Sequence, residues 1–143
     1  MIVKEAMQRS IIKVASAMTV AEAARIMDRE NIGCVLVSES DNVVGIMTER
    51  DILRKAIAAG KNCEEVFVKE IMSPSLITID AEVALDEAND LMMNHKIRRL
   101  VVTKDKKIVG IITIRDIAEG LKYSSARRLT GTDEGDYSRL SYR

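Results

Sequence analysis

The sequence predicts a mixed α/β (α+β) fold made of two pseudo-symmetric copies of one β-α-β-β-α unit. Three observations predict it. The phrase GIMTERDI at 45–52 returns as GIITIRDI at 110–117, with Gly, Thr, Arg and Asp kept in place. The flanking residues align at the same spacing of 65 without a gap: VKEAM at 3–7 falls on VKEIM at 68–72, and VVG at 43–45 on IVG at 108–110. Short apolar runs rich in β-branched residues also alternate with helical periodicity in both copies. A fixed internal period is the signature of a duplicated structural unit. The chain thus divides into repeat 1 (1–65), repeat 2 (66–123) and a polar tail (124–143).

Each element follows from its residues. Ile11–Val14 and Leu76–Ile79 read as the first strands. Thr19-Val-Ala-Glu22 has capping-box spacing, and Val20, Ala23, Ala24 and Met27 then fall on one helical face. In repeat 2 the same face carries Leu85, Ala88 and Met92, but Ala84 replaces Thr19 and the cap is lost. CVLV (34–37), a turn around Ser40-Asp41-Asn42, and VVGIMT (43–48) read as a hairpin. RLVV (99–102), a Lys/Asp-rich turn and IVGIIT (108–113) repeat it. A helix follows each Thr, ending near Gly60 and near Tyr123. One repeat is short for a core of its own, so the two are expected to pack together.

Composition narrows the function. Lys+Arg and Asp+Glu balance at 22 each, so no global field draws the chain to nucleic acid or a membrane. No apolar run approaches the roughly 18 residues of a membrane span, and the opening MIVKEAMQRS lacks a signal-peptide apolar region. Cys34 and Cys63 have no CxxC spacing. The expectation is a cytoplasmic protein.

Thr48-Glu-Arg-Asp51 and Thr113-Ile-Arg-Asp116 suit a helix start, with the hydroxyl at the N-cap and the carboxylate three residues on. Capping alone leaves Gly45 and Gly110 unexplained, since glycine weakens a strand unless something approaches closely. The same geometry can serve a nucleotide. A helix start offers N–H groups to phosphate, and an open carboxylate can accept the vicinal hydroxyls of a ribose. Ile46 and Ile111 could cover a base.

The tandem β-α-β-β-α order, the V-x-E-x-M openings and the G-h-h-T-x-R-D endings together resemble a pair of CBS domains, a Bateman module, over residues 3–122. The resemblance implies a non-enzymatic sensor of adenosine-containing ligands (AMP, ADP, ATP or S-adenosylmethionine and its relatives) that works as a homodimer and is read by a regulated protein. It further implies two sites built crosswise. In one, Ile46, Thr48 and Asp51 face Thr78, Ile97 and Arg98; in the other, Ile111, Thr113 and Asp116 face Lys13, Ile32 and Gly33. The aspartates would hold ribose, the isoleucines would sandwich adenine, and Arg98, Arg99 and Lys13 would neutralise phosphate. Because Gly33-Cys34 stand where repeat 2 has Arg98-Arg99, the Asp51 site is expected to be the better phosphate site.

Other chemistries find little support. His95 is the single histidine and has no nucleophile partner by pattern; Walker, HExxH and nucleophile-elbow motifs are missing. No catalytic residue or metal ligand is expected. Met27 and Met92 sit on core-facing stripes. Two alternatives to a sensor stay open. One is an interaction module with empty clefts. The other is a weak nucleic-acid binder using Lys104, Lys106, Lys107, Arg127 and Arg128, which the scarcity of aromatics disfavours. Tyr137, Leu140 and Tyr142 could anchor a partner from the tail.

Overall fold

The computed structural model describes residues 1–130. In chain order the elements are α1 (Val3–Ala6), β1 (Lys13–Ala15), α2 (Val20–Glu30), β2 (Cys34–Glu39), β3 (Asn42–Thr48), and α3 (Glu49–Asp51), which runs into a π-helical stretch, Ile52–Ile57. There follow α4 (Val68–Ile71), β4 (Thr78–Asp80), α5 (Leu85–His95), β5 (Arg99–Lys104), β6 (Lys107–Thr113) and α6 (Ile114–Thr130).

The chain forms two compact units whose membership crosses the repeats. One is Ile11–Leu76; the other joins Met1–Ser10 to Ile77 and the described residues after it. The sequence restarts between 65 and 66, but the units part elsewhere, because each opening segment bonds into the unit of the other repeat. Val3 N–H donates to the Val83 carbonyl (2.8 Å), and Gln8 and Ile111 exchange both backbone bonds (2.8 and 2.9 Å). The matching set joins Val68 N–H to the Met18 carbonyl (2.8 Å) and pairs Ser73 with Ile46 (2.8 and 3.0 Å).

Within Ile11–Leu76 the sheet runs β1-β2-β3, parallel then antiparallel, with a bulge at Val37/Ser38. Both residues of the two-residue loop, Ser40 and Asp41, have positive φ (47° and 67°), as a primed hairpin turn needs. Strand alternation sends Val14, Val35, Val37 and Met47 to the core, where α2 contributes Val20, Ala23 and Met27. Thr19 caps α2 with Glu22, each bonding the other's N–H (3.2 and 3.0 Å).

The second unit repeats this design. Its sheet runs β4-β5-β6, with a bulge at Val102/Thr103 and a turn at Asp105-Lys106, both at positive φ. Leu100, Val102 and Ile112 join Leu85, Ala88 and Met92 in its core. Ala84 gives α5 no side-chain cap, as its chemistry dictates.

Besides the short helices α1 and α4, which the sequence reading did not contain, two elements differ from it. After Asp51 the helix widens: Ala58 N–H donates to the Leu53 carbonyl and Lys61 N–H to that of Ala56, both five residues back (2.8 and 2.9 Å). The repeat 2 helix does not stop near Tyr123 but continues to Thr130, so the start of the expected polar tail is helical. Its residues through Leu129 keep strong helix formers such as Ala126, Arg127 and Leu129. Tyr137, Leu140 and Tyr142 lie outside the described residues.

Candidate functional site

The repeated Thr-x-x-Asp forms a reciprocal cap in both units. Asp51 N–H donates to Thr48 Oγ1 (3.2 Å), while Thr48 N–H and Oγ1–H both donate to Asp51 Oδ2 (2.9 and 3.1 Å). In the other unit Asp116 N–H donates to Thr113 Oγ1 (3.2 Å), and Thr113 returns two bonds to Asp116 Oδ2 (2.8 Å each). The carboxylates are buried, at 8% and 4% exposure. Burial of a charge demands partners, and Oδ2 has them in both copies. The Oδ1 atoms are held differently. Lys55 Nζ lies 3.0 Å from Asp51 Oδ1, whereas Gln8 Nε2 donates to both oxygens of Asp116 (3.2 Å each). Neither partner was legible in the sequence as a site residue.

The glycines are explained by the chain itself. A Cβ on Gly45 would sit 2.7 Å from the Ser73 carbonyl oxygen and 2.8 Å from Met72 Sδ; on Gly110 it would sit 2.6 Å from the Gln8 carbonyl oxygen and 2.8 Å from Met7 Sδ. The close approach expected in these strands is thus made by the incoming opening segments.

The helix starts also spend part of their hydrogen-bonding capacity internally. Glu49 N–H donates to the Gly33 carbonyl (3.0 Å) and Ile114 N–H to that of Arg98 (2.9 Å). With the third N–H of each turn on its Thr hydroxyl, little of the turn is left for phosphate, and side-chain cations become the relevant donors.

Strand register gathers the other candidates. Lys13, Leu36 and Ile46 share one row across the first sheet, on the face opposite Val14 and Val37. Thr78, Val101 and Ile111 form the equivalent row, and Arg99 pairs with Thr113. Ile32-Gly33 and Ile97-Arg98 occupy the α2–β2 and α5–β5 connections beside these rows. Within a unit, then, Lys13, Ile32, Gly33 and Ile46 accompany Thr48 and Asp51. Thr78, Ile97, Arg98, Arg99 and Ile111 accompany Thr113 and Asp116. The sequence reading grouped them crosswise.

Elsewhere, Glu82 receives the ammonium groups of Lys4 (2.8 Å) and Lys104 (3.2 Å). These bonds, that from Lys4 first, hold its carboxyl below the usual range despite the opposing effect of burial. Lys104 of the expected basic strip is thereby engaged. No group of residues that could hold a metal ion occurs among the described residues, and no described helix is long and apolar enough to cross a membrane.

Comparison with known proteins agrees with this architecture. The CBS domain model matches twice, over residues 3–58 and 68–123. The chain belongs to the CBS-domain family. An uncharacterized protein of Methanopyrus kandleri is 39% identical over 119 residues, covering 82% of this chain and 61% of that relative. The chain thus spans under two thirds of that relative's length. An uncharacterized conserved protein from Pyrococcus horikoshii, solved by crystallography, is 33% identical with a TM-score of 0.78, covering 85% of this chain and 92% of that one. A hexameric CBS-CP12 protein from bloom-forming cyanobacteria is 26% identical with a TM-score of 0.80, covering 87% and 74%. The two CBS repeats and the mixed α/β fold predicted from the sequence are therefore present, and the chain has the tandem form of generally regulatory proteins.

Proposed function

We propose that this CBS pair is a non-enzymatic, cytoplasmic sensor that binds an adenosine-containing ligand: AMP, ADP, ATP or an S-adenosylmethionine-type compound. The observation that carries the reading is the state of the two buried aspartates. In each, one oxygen is committed to the cap of its own helix, and the other is held, among the described residues, by a side chain able to leave. A ribose diol supplies two hydroxyl donors that can replace such a partner. Thr48 and Thr113 fix the carboxylates. Ile46 and Ile32, or Ile111 and Ile97, offer apolar surface to adenine, with Thr78 and Gly33 at the margins. Lys13, or Arg98 and Arg99, supplies charge for phosphate.

Regulation then follows by linkage. A ligand that binds one conformation more tightly shifts the population toward it, and a partner protein responds to that conformation. Self-association is supported by Leu53 and Ile57, which stand 58% and 59% exposed one helical turn apart, and by the hexameric assembly of the cyanobacterial relative; a homodimer is its simplest form. Exposed apolar pairs of this kind also favour a second reading, an interaction module whose sites stay empty.

A thermal-shift titration with AMP, ADP, ATP and S-adenosylmethionine separates the two. A sensor shows a concentration-dependent rise in Tm with one of them, lost in Asp51→Ala or Asp116→Ala. An interaction module shows no rise with any.

A further inference from the structure

The two carboxylates are held by partners of unlike charge, and the difference is built into the fold. Position 55 is Lys where the second copy has Gly120, and position 8 is Gln where the second copy has Ser73. A Cβ on Gly120 would lie 2.9 Å from Leu85 Cδ1 and 3.0 Å from Met1 Sδ, so these two side-chain ends would have to shift to admit a lysine. In the unit of Asp51 the equivalent position stands in the widened π-helical stretch, and Lys55 bonds both Asp51 Oδ1 (3.0 Å) and the Ile71 carbonyl (3.3 Å).

We propose that Lys55 is the specificity-determining residue of the Asp51 site, selecting adenosine ligands that carry a 5′-phosphate. This rests on the reading of Asp51 as the ribose acceptor. A diol that takes Asp51 Oδ1 displaces an ammonium group. A neutral nucleoside gives that ammonium no new anion, so the exchange sacrifices an ion pair for neutral-donor hydrogen bonds. A phosphorylated ligand supplies the anion, and the lysine passes from carboxylate to phosphate. Its side chain is about half exposed (48%) on a flexible stem, so the head can travel without unpacking the core. At Asp116 the displaced group is the neutral Gln8 amide, which needs no counter-ion, and no such exchange operates there.

The test is titration calorimetry of adenosine and AMP against the full chain carrying Asp116→Asn, which confines the reading to the Asp51 site. Lys55→Met keeps the apolar stem and removes the charge. It is expected to lower the preference for AMP over adenosine about fivefold, the scale of a partly exposed ion pair, with Lys55→Arg restoring it. The same ratio compared between Lys55→Met and the otherwise native chain decides the matter should Asp116→Asn fail to fold. An unchanged ratio, with both ligands still bound and Asp51→Ala still abolishing them, overturns the role of Lys55 and leaves the ribose reading intact. Binding of neither ligand overturns both.

Discussion

The Gln8 amide bonds both carboxylate oxygens of Asp116, at 3.2 Å each, across 108 positions of sequence. One contact thus ties the opening segment of the chain to the first turn of α6, at the carboxylate proposed to meet a ribose. On that proposal, structural order and ligand binding would draw on the same atoms.

Removing that amide has a measurable cost. Gln8→Ala is expected to destabilise the ligand-free protein by about 1.5 kcal/mol, typical of a hydrogen bond to a charged acceptor. Urea unfolding of Gln8→Ala, Asp116→Asn and the double variant forms a thermodynamic cycle. A coupling energy near zero would mean that the contact carries no stability.

Gly110→Ala places a methyl group 2.6 Å from a backbone oxygen of Gln8 and close to Met7. Backbone cannot step aside as a flexible side chain can, so a loss of about 1–3 kcal/mol is expected. Gly45→Ala should behave alike against Ser73. A midpoint of denaturation within error of the native value would contradict both.

Ala84 starts α5 in extended backbone with no side-chain cap, and Glu87 stands three residues on. Ala84→Ser supplies the missing hydroxyl and should stabilise the protein by about 1 kcal/mol. Differential scanning calorimetry reads this as a higher Tm; a lower one would show that the bridge between Ile2 and Ala84 tolerates no polar group.

Glu82 gives a pH signature. Its carboxyl is held below the ordinary range by Lys4 and then Lys104. A depressed folded-state pKa adds stability that is complete above the unfolded value and disappears as pH falls through the folded one. The Tm gap between the native chain and Glu82→Gln should therefore close on acidification from about pH 7 to about pH 3. A gap that persists in acid would assign it to packing.

The repeat, the hairpins and the Thr-Asp caps were readable because each is a local pattern: Thr48 and Asp51 are three residues apart, and Val14 and Val37 follow strand alternation. Gln8 was not, since no local rule connects it to Asp116. Lys55 lies within one turn of Asp51, but an i,i+4 Asp–Lys pair looks like ordinary helix surface. The glycines advertised a close approach without naming what approaches. The π-helical widening after Asp51 has no residue signature in ILRKAI that separates it from an α-helix. Helix α6 passes Tyr123 because Gly120 and the following serines only weaken a helix, and nothing there ends it.

The crossing of opening segments has a consequence for synthesis. A ribosome delivers Ile11–Leu76 as an unbroken stretch, so that unit has all its parts as soon as Leu76 emerges. The other unit is completed by Met1–Ser10, made before Ile11–Leu76 and left waiting while that whole stretch is translated. Until β6 appears, the Gln8 backbone lacks its Ile111 partner. The nascent chain thus carries an unmatched backbone segment ahead of a finished unit, and the order of manufacture is the reverse of the order in which those residues find their place.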